Sequence, residues 1–232
     1  MTNRRQFVEG ALLASAAAVT QSQLAQAQGA TGPKPTYMEN PLPFDPKSIK
    51  GLSEKILVSH HDNNYAGAVR RLNAIGAQFA DLDVAKAPVF VINGLKREEL
   101  IAMNSMILHE LYFDSLGGGG NPTGALADAI VRDFGSVERW RAEFSAMGKA
   151  EGGGSGWVLL TYSPRDKRLV NQWAADHSNA VAGGRPILAL DMYEHSYHMD
   201  YGASAGGYVD AFMAAIRWDN CQNLFRQFMQ QA

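Results

Sequence analysis

Pro186-Ile187-Leu188-Ala189-Leu190-Asp191-Met192-Tyr193-Glu194-His195 begins as an apolar run and ends with a carboxylate and an imidazole four residues apart. The run from Pro186 to Leu190 reads as a buried strand. Asp191 ends it, and a helix beginning there points Asp191 and His195 to one side. A carboxylate joined by imidazoles is a sound donor set for a first-row transition metal. Such a set leaves a five-coordinate ion room for water or a small anion. Zinc fits chemically as well, so donor type alone does not select the metal.

The chain holds six histidines: His60, His61, His109, His177, His195 and His198. His60 and His109 each fall on the apolar stripe of a predicted long helix. A lone histidine on such a stripe is more often a satisfied core residue than a ligand. The Asp191/His195 pair shifts that balance toward metal binding for both.

The rest of the chain supplies the frame. Residues 28–50 are rich in Pro and Gly and read as an extended lead-in. Ser53 can cap a helix that carries Ile56, Leu57, His60, Asn64, Ala68, Arg71 and Leu72 at helical intervals. Pro88 rules out one unbroken helix over Phe79 to Leu95. Lys96 to Leu116 predicts a second long helix, with Leu100, Met103, Ile107, Leu111 and Leu116 as a stripe around His109. Four glycines, Gly117 to Gly120, stop it.

Pro122 starts a helix to about Phe134, with Leu126, Ile130 and Val131 inward. Ser136 caps another that carries Trp140 and Phe144 on one face. After a glycine-rich break at Glu151 to Gly156, three strands are expected at Trp157–Tyr162, Arg168–Trp173 and Pro186–Leu190, with Pro164-Arg165-Asp166 as a hairpin turn. Tyr208 to Met229 reads as a long closing helix. The class is α+β: an N-terminal long-helix hairpin domain over 51–120, then a C-terminal α/β domain over 121–232 with a small three-stranded antiparallel sheet.

Composition narrows the function classes. The 232 residues are 46% hydrophobic and 19% charged, which suits a folded globular chain. A formal net charge of −2 gives no reason to expect a nucleic-acid partner. Cys221 is the only cysteine, so a disulfide framework and a cysteine-based zinc site are both excluded. It reads as a small core residue. Arg4-Arg5-Gln6-Phe7-Val8 precedes a weakly apolar, Ala-rich run too short to span a bilayer, and Ala25-Gln26-Ala27 fits a small-x-small cleavage site. Residues 1–27 therefore read as an export signal of twin-arginine type. That route exports folded proteins, which places the mature protein in the periplasm or outside the cell, without a stable membrane anchor.

Asp191-Met-Tyr-Glu-His-Ser-Tyr resembles the Asp-x-Trp-Glu-His-Ala-Tyr signature of the iron/manganese superoxide dismutases. The resemblance extends over residues 40–225, through Leu42-Pro43-Phe44, Leu52 to Asn73, His109 with Tyr112, Gly124 to Ser136, Gly154-Ser155-Gly156-Trp157, Gly207-Tyr208 and Trp218. It implies one iron or manganese ion per subunit, iron slightly preferred, held by His60, His109, Asp191 and His195. It implies dismutation of superoxide to oxygen and hydrogen peroxide. His177 falls where the family has a glutamine or histidine that reaches metal-bound solvent, and Trp157 where a tryptophan walls the site. Glu194 matches the glutamate that crosses a dimer interface, so a homodimer or a tetramer is implied.

The sequence departs from the family around the entrance. The gateway tyrosine falls on Ala68 and its partner histidine on Asn64, with Tyr65 directly after as the candidate substitute. The signature tryptophan is Tyr193, the tyrosine beyond the Glu-His pair is His198, and the arginine before the last helix is Ala205. Ser105 stands where iron enzymes carry a glutamine. These changes predict weaker steering and a wider mouth. They keep open an alternative: a metal-binding homologue with little dismutase activity, or one running a different small-molecule redox reaction.

Overall fold

Ser53 opens the first helix as its side chain predicts, its Oγ accepting the backbone N–H of Ile56 at 3.2 Å. A computed structural model describes residues 36–231. The expected signal, 1–27, and the first part of the lead-in lie outside the described residues. Helix α1 runs Glu54–Ser59. Ser53 also donates from its backbone N and its Oγ to Asp200, both at 2.7 Å. The start of α1 is thereby tied to a turn far along the chain.

The helix does not continue in α form. His60–Tyr65 is a π turn, and α2 follows as Ala66–Ala80. The sequence predicts one α-helical stripe through this region, which the π turn resets. His, Asp and Asn are weak α formers, so this polar run resists the wider ladder little.

Helix α3 spans Val89–Asp114 and packs beside α2. It begins directly after Pro88, well ahead of the expected Lys96. A proline has no N–H to lose at a helix start, so it punctuates without cost there. The buried face matches the expected one only in part: Leu111 and Leu116 are buried with His109, but the rest of the stripe is not. Leu100 and Ile107 are 48% and 46% exposed, and Met103 is half-buried. Ala102, Ser105, Met106, His109, Tyr112 and Phe113 are inside. The true stripe contains small and polar residues, so counting large apolar side chains misplaces it.

Beyond the glycines, α4 runs Gly124–Phe134 and α5 runs Val137–Ala150. Helix α4 starts after the expected Pro122, and Val131 is exposed; Leu126, Ala129 and Ile130 form the inner face. Ser136 caps α5 by accepting the Arg139 N–H at 3.1 Å. Trp140 and Phe144 are fully buried, and Trp140 meets Trp218 edge-on.

Three strands follow, β1 Trp157–Ser163, β2 Arg168–Ala174 and β3 Arg185–Asp191, antiparallel in the order β2-β1-β3. The turn at 164–167 joins β1 to β2 as expected. Every residue of the central strand is buried. Helix α5 lies against β1, and α3 against β3. The register pairs Trp157 with Asp191.

After β3 come a 3-10 turn at Glu194–Ser196, the short α6 at His198–Tyr201, α7 at Ala205–Ala215 and α8 at Trp218–Gln230. The single closing helix expected over Tyr208 to Met229 is broken at Ile216. Ile216 bridges Leu116, and Arg217 N–H donates to Ser115 O at 2.7 Å. These strand-like bonds replace the helical ones. They bring the chains so close that a Cβ on Gly118 would lie 2.6 Å from Arg217 Cα, so only glycine fits.

Candidate metal centre

Each predicted ligand comes from a different local device. His60 opens the π turn and His109 lies on the inner face of α3. Asp191 is the last residue of β3, and His195 sits in the 3-10 turn just beyond it. The expectation of a helix beginning at Asp191 is replaced by this tighter turn. Tyr193 N–H donates to Asp191 Oδ1 at 2.8 Å, and Ser196 Oγ donates to the Asp191 carbonyl at 2.9 Å. Tyr208 Oη donates to the same carbonyl at 2.7 Å. The end of the strand is therefore held from three sides.

One donor atom from each of His60, His109, Asp191 and His195 lies within 4.8 Å of the others. The other Asp191 oxygen, Oδ2, faces the Nε2 atoms of His60, His195 and His109 at 3.0, 3.2 and 3.5 Å. His109 Nδ1 donates to the Ser105 carbonyl at 2.6 Å. That bond places the proton on Nδ1 and leaves Nε2 as a lone pair. His109 Nε2 is buried and has no hydrogen-bond partner among the described residues. An orphaned, inward lone pair beside two more imidazoles and a carboxylate fits a first-row transition metal.

The electrostatics agree. Burial lowers the His109 pKa to about 3, and burial likewise lowers that of His60. Burial alone would raise Asp191. The charge on His195 and hydrogen bonds from His195 and His60 outweigh it and hold Asp191 below the ordinary carboxylate range. The resulting state is an ionised carboxylate facing neutral His60 and His109, the protonation state a metal requires.

Trp157 is fully buried and meets the His109 ring edge-on at 5.2 Å. Its Nε1–H donates to His177 Nδ1 at 3.0 Å. The His177 ring lies 6.0 Å from that of His109 and stacks on Tyr193, which in turn stacks on His195. Both residues thus adjoin the cluster.

Tyr65 does not reach the entrance. Its hydroxyl donates to Glu110 at 2.9 Å and accepts the Asn40 N–H at 2.8 Å. It lines a separate cavity of about 30 Å³ with Pro41, Pro43 and Asp114. Tyr65 directly follows Asn64, and consecutive helical residues face about 100° apart, so it points away from the side that Asn64 and Ala68 occupy. Asn64 and Ala68 do line a larger cavity of about 340 Å³, together with Ser105 and His177. Ala205 is buried beside Gly152 instead.

His61 and His198 are not in the cluster. His61 is engaged by Asp62 and the Asn40 carbonyl. Glu194 and His198 are exposed around the same turn as His195. Two participants escape the sequence reading. The Ser105 carbonyl is a backbone group, invisible in composition. Arg71 also lines the large cavity, and its spacing from Asn64 and Ala68 on one helix face was available as a signal.

The sequence model described as iron/manganese superoxide dismutases, C-terminal domain, matches residues 122–224. An iron superoxide dismutase of Cupriavidus metallidurans is 70% identical, covering 82% of this chain and 96% of that protein. A manganese superoxide dismutase of Halobacterium salinarum is 39% identical over 82% of this chain and 96% of its own length. An iron superoxide dismutase of Pyrobaculum aerophilum is 30% identical over 80% and 90%. With relatives of this identity matched over nearly their whole length, and four metal-type donors gathered where the sequence places them, the chain belongs to the iron/manganese superoxide dismutase family.

Proposed function

We propose that this protein is an iron-dependent superoxide dismutase. The observation that carries the reading is the convergence of His60, His109, Asp191 and His195 around the unpartnered Nε2 of His109. Iron is preferred because the 70% identical relative is an iron enzyme. A bound ion of this kind supplies one-electron chemistry, by which one superoxide is oxidised to oxygen and a second, with two protons, becomes hydrogen peroxide.

The chain's own residues do the rest. His60, His109, Asp191 and His195 would hold the ion, with Asp191 as the single anionic donor. Trp157 walls the site and keeps water from one side of it. It also fixes His177 with Nδ1 as acceptor, so that Nε2 carries the proton. His177 also lines the cavity of about 340 Å³, and in this reading its N–H holds solvent or passes a proton to an arriving anion.

Export and assembly belong to the same reading. Arg4-Arg5 and Ala25-Gln26-Ala27 support twin-arginine export to the periplasm, with the metal loaded before translocation. Exposed Glu194, next to His195, supports a homodimer in which it reaches the partner's ligand turn, or a tetramer of such dimers. The division into domains 51–120 and 121–232 gives each of them two of the four ligands.

The test is superoxide dismutation by residues 28–232 loaded separately with iron and with manganese, metal content quantified in each. Activity near the diffusion limit with iron supports the reading. A filled site with negligible turnover in both forms rejects it.

A further inference from the structure

The cavity over His177 is larger than superoxide requires. It measures about 340 Å³, within the range of roughly 300–1,000 Å³ typical of small-molecule sites. Its chemistry is also one-sided. Among the described residues Arg71 is the one charged side chain lining it, and the carboxylate paired with Arg71, Glu98, lies outside the lining.

The lining polar groups have spare donors. Arg71 makes one recorded bond, from Nη2 to Glu98, at the rim. That leaves Nη1 and Nε of a fork suited to planar oxyanions. The Asn64 side chain has no hydrogen-bond partner among the described residues and lines the same wall. His177 Nδ1 is taken by Trp157, so its Nε2–H is a donor without a recorded partner. Beside these groups lies an apolar strip of Ala68, Ile101 and Ala102.

We propose that this cavity is a binding site for a small organic monocarboxylate. The carboxylate sits on Arg71, Asn64 and His177, and the hydrocarbon part lies along Ala68, Ile101 and Ala102. An occupant there lies against Ser105 and His177, both of which neighbour His109. The inference goes beyond dismutation and does not depend on it.

The experiment is calorimetric titration of the iron-loaded protein with benzoate, in the wild type, Arg71→Gln and Ala68→Tyr. Calorimetry reads binding whether or not the protein turns over superoxide, so the two readings fail separately. Saturable one-to-one binding is expected. Arg71→Gln weakens it about tenfold, the loss of one charge-assisted contact. Ala68→Tyr abolishes it by filling the cavity. Iron content checks that both variants are folded, and Arg71, whose side chain is 58% exposed, can change without disturbing the core. Absence of saturable binding overturns the proposal, as does full affinity in Arg71→Gln.

Discussion

The backbone carbonyl of Ser105 accepts a 2.6 Å hydrogen bond from Nδ1 of His109, one turn further along the same helix. Because the acceptor is backbone, changing the Ser105 side chain cannot remove it. The tautomer of His109 is thus set by α3 itself, and the inward lone pair is present before any metal arrives.

His109→Ala removes that lone pair. Iron content after loading should fall below about a tenth of wild type, since one missing ligand costs a metal site much of its affinity. Thermal denaturation should no longer shift upward on adding iron, because an ion bound only by the folded state stabilises it by mass action. Wild-type iron content in this variant would reject the assigned site.

Trp157→Phe keeps a ring against His109 but deletes the donor to His177 Nδ1. His177 is then free to change tautomer and orientation. Dismutation should drop about tenfold with iron content preserved, the usual cost of losing an outer hydrogen bond at a metal site. Parallel loss of iron and activity would show that Trp157 acts on folding instead.

The metal-free protein should lose stability in acid through His109. Its folded pKa, about 3, is depressed below the ordinary 6.5 by burial. The unfolded chain therefore binds a proton that the folded chain refuses. The contribution is complete above pH 6.5 and is lost progressively as pH falls toward 3. Asp191, held below its ordinary range, acts in the same direction. Denaturant midpoints of metal-free protein between pH 7 and 4 measure this, and a flat profile would contradict it.

Glu151 has the opposite sign. Both carboxylate oxygens are buried without a partner among the described residues, and burial followed by the charge of Asp191 raises its pKa to about 8. Folding takes up a proton there, so its contribution is complete below pH 4.5 and is lost as pH rises through 8. Glu151→Gln should raise the melting temperature at pH 9 and leave it unchanged near pH 4. The gain is roughly 1–2 kcal/mol after discounting for the partial solvent contact of the residue. Equal melting temperatures at pH 9 would show that the carboxylate finds a partner in solution.

The legible parts of the sequence were those with a local cause. Ser53 and Ser136 mark helix starts through their own side-chain chemistry, and both do so in the structure; Pro88 marked a break, and the helix starts there rather than at the expected Lys96. Asp191 and His195 were readable because a strand end and a four-residue spacing fix their relation. The missed features depend on partners distant in sequence. Ile216 breaks the closing helix because Leu116 offers it a bridge, and nothing near Ile216 announces that. The inner face of α3 is chosen by what α2 and β3 leave room for, so Ala102 and Ser105 are buried while Leu100 stays out. Tyr65 is a different case: as the direct neighbour of Asn64 on a helical segment it faces another side, which spacing alone shows.

The π turn at His60–Tyr65 also governs how the protein can change. An α-helix advances about 100° per residue, so deleting one residue between His60 and Tyr65 would swing Asn64, Ala68 and Arg71 around the axis together while His60 stayed in place. The ligand and the cavity wall sit on one continuous rod but on opposite sides of a joint. Selection can therefore re-aim what the mouth presents, by length as well as by substitution, without renegotiating the grip on the metal.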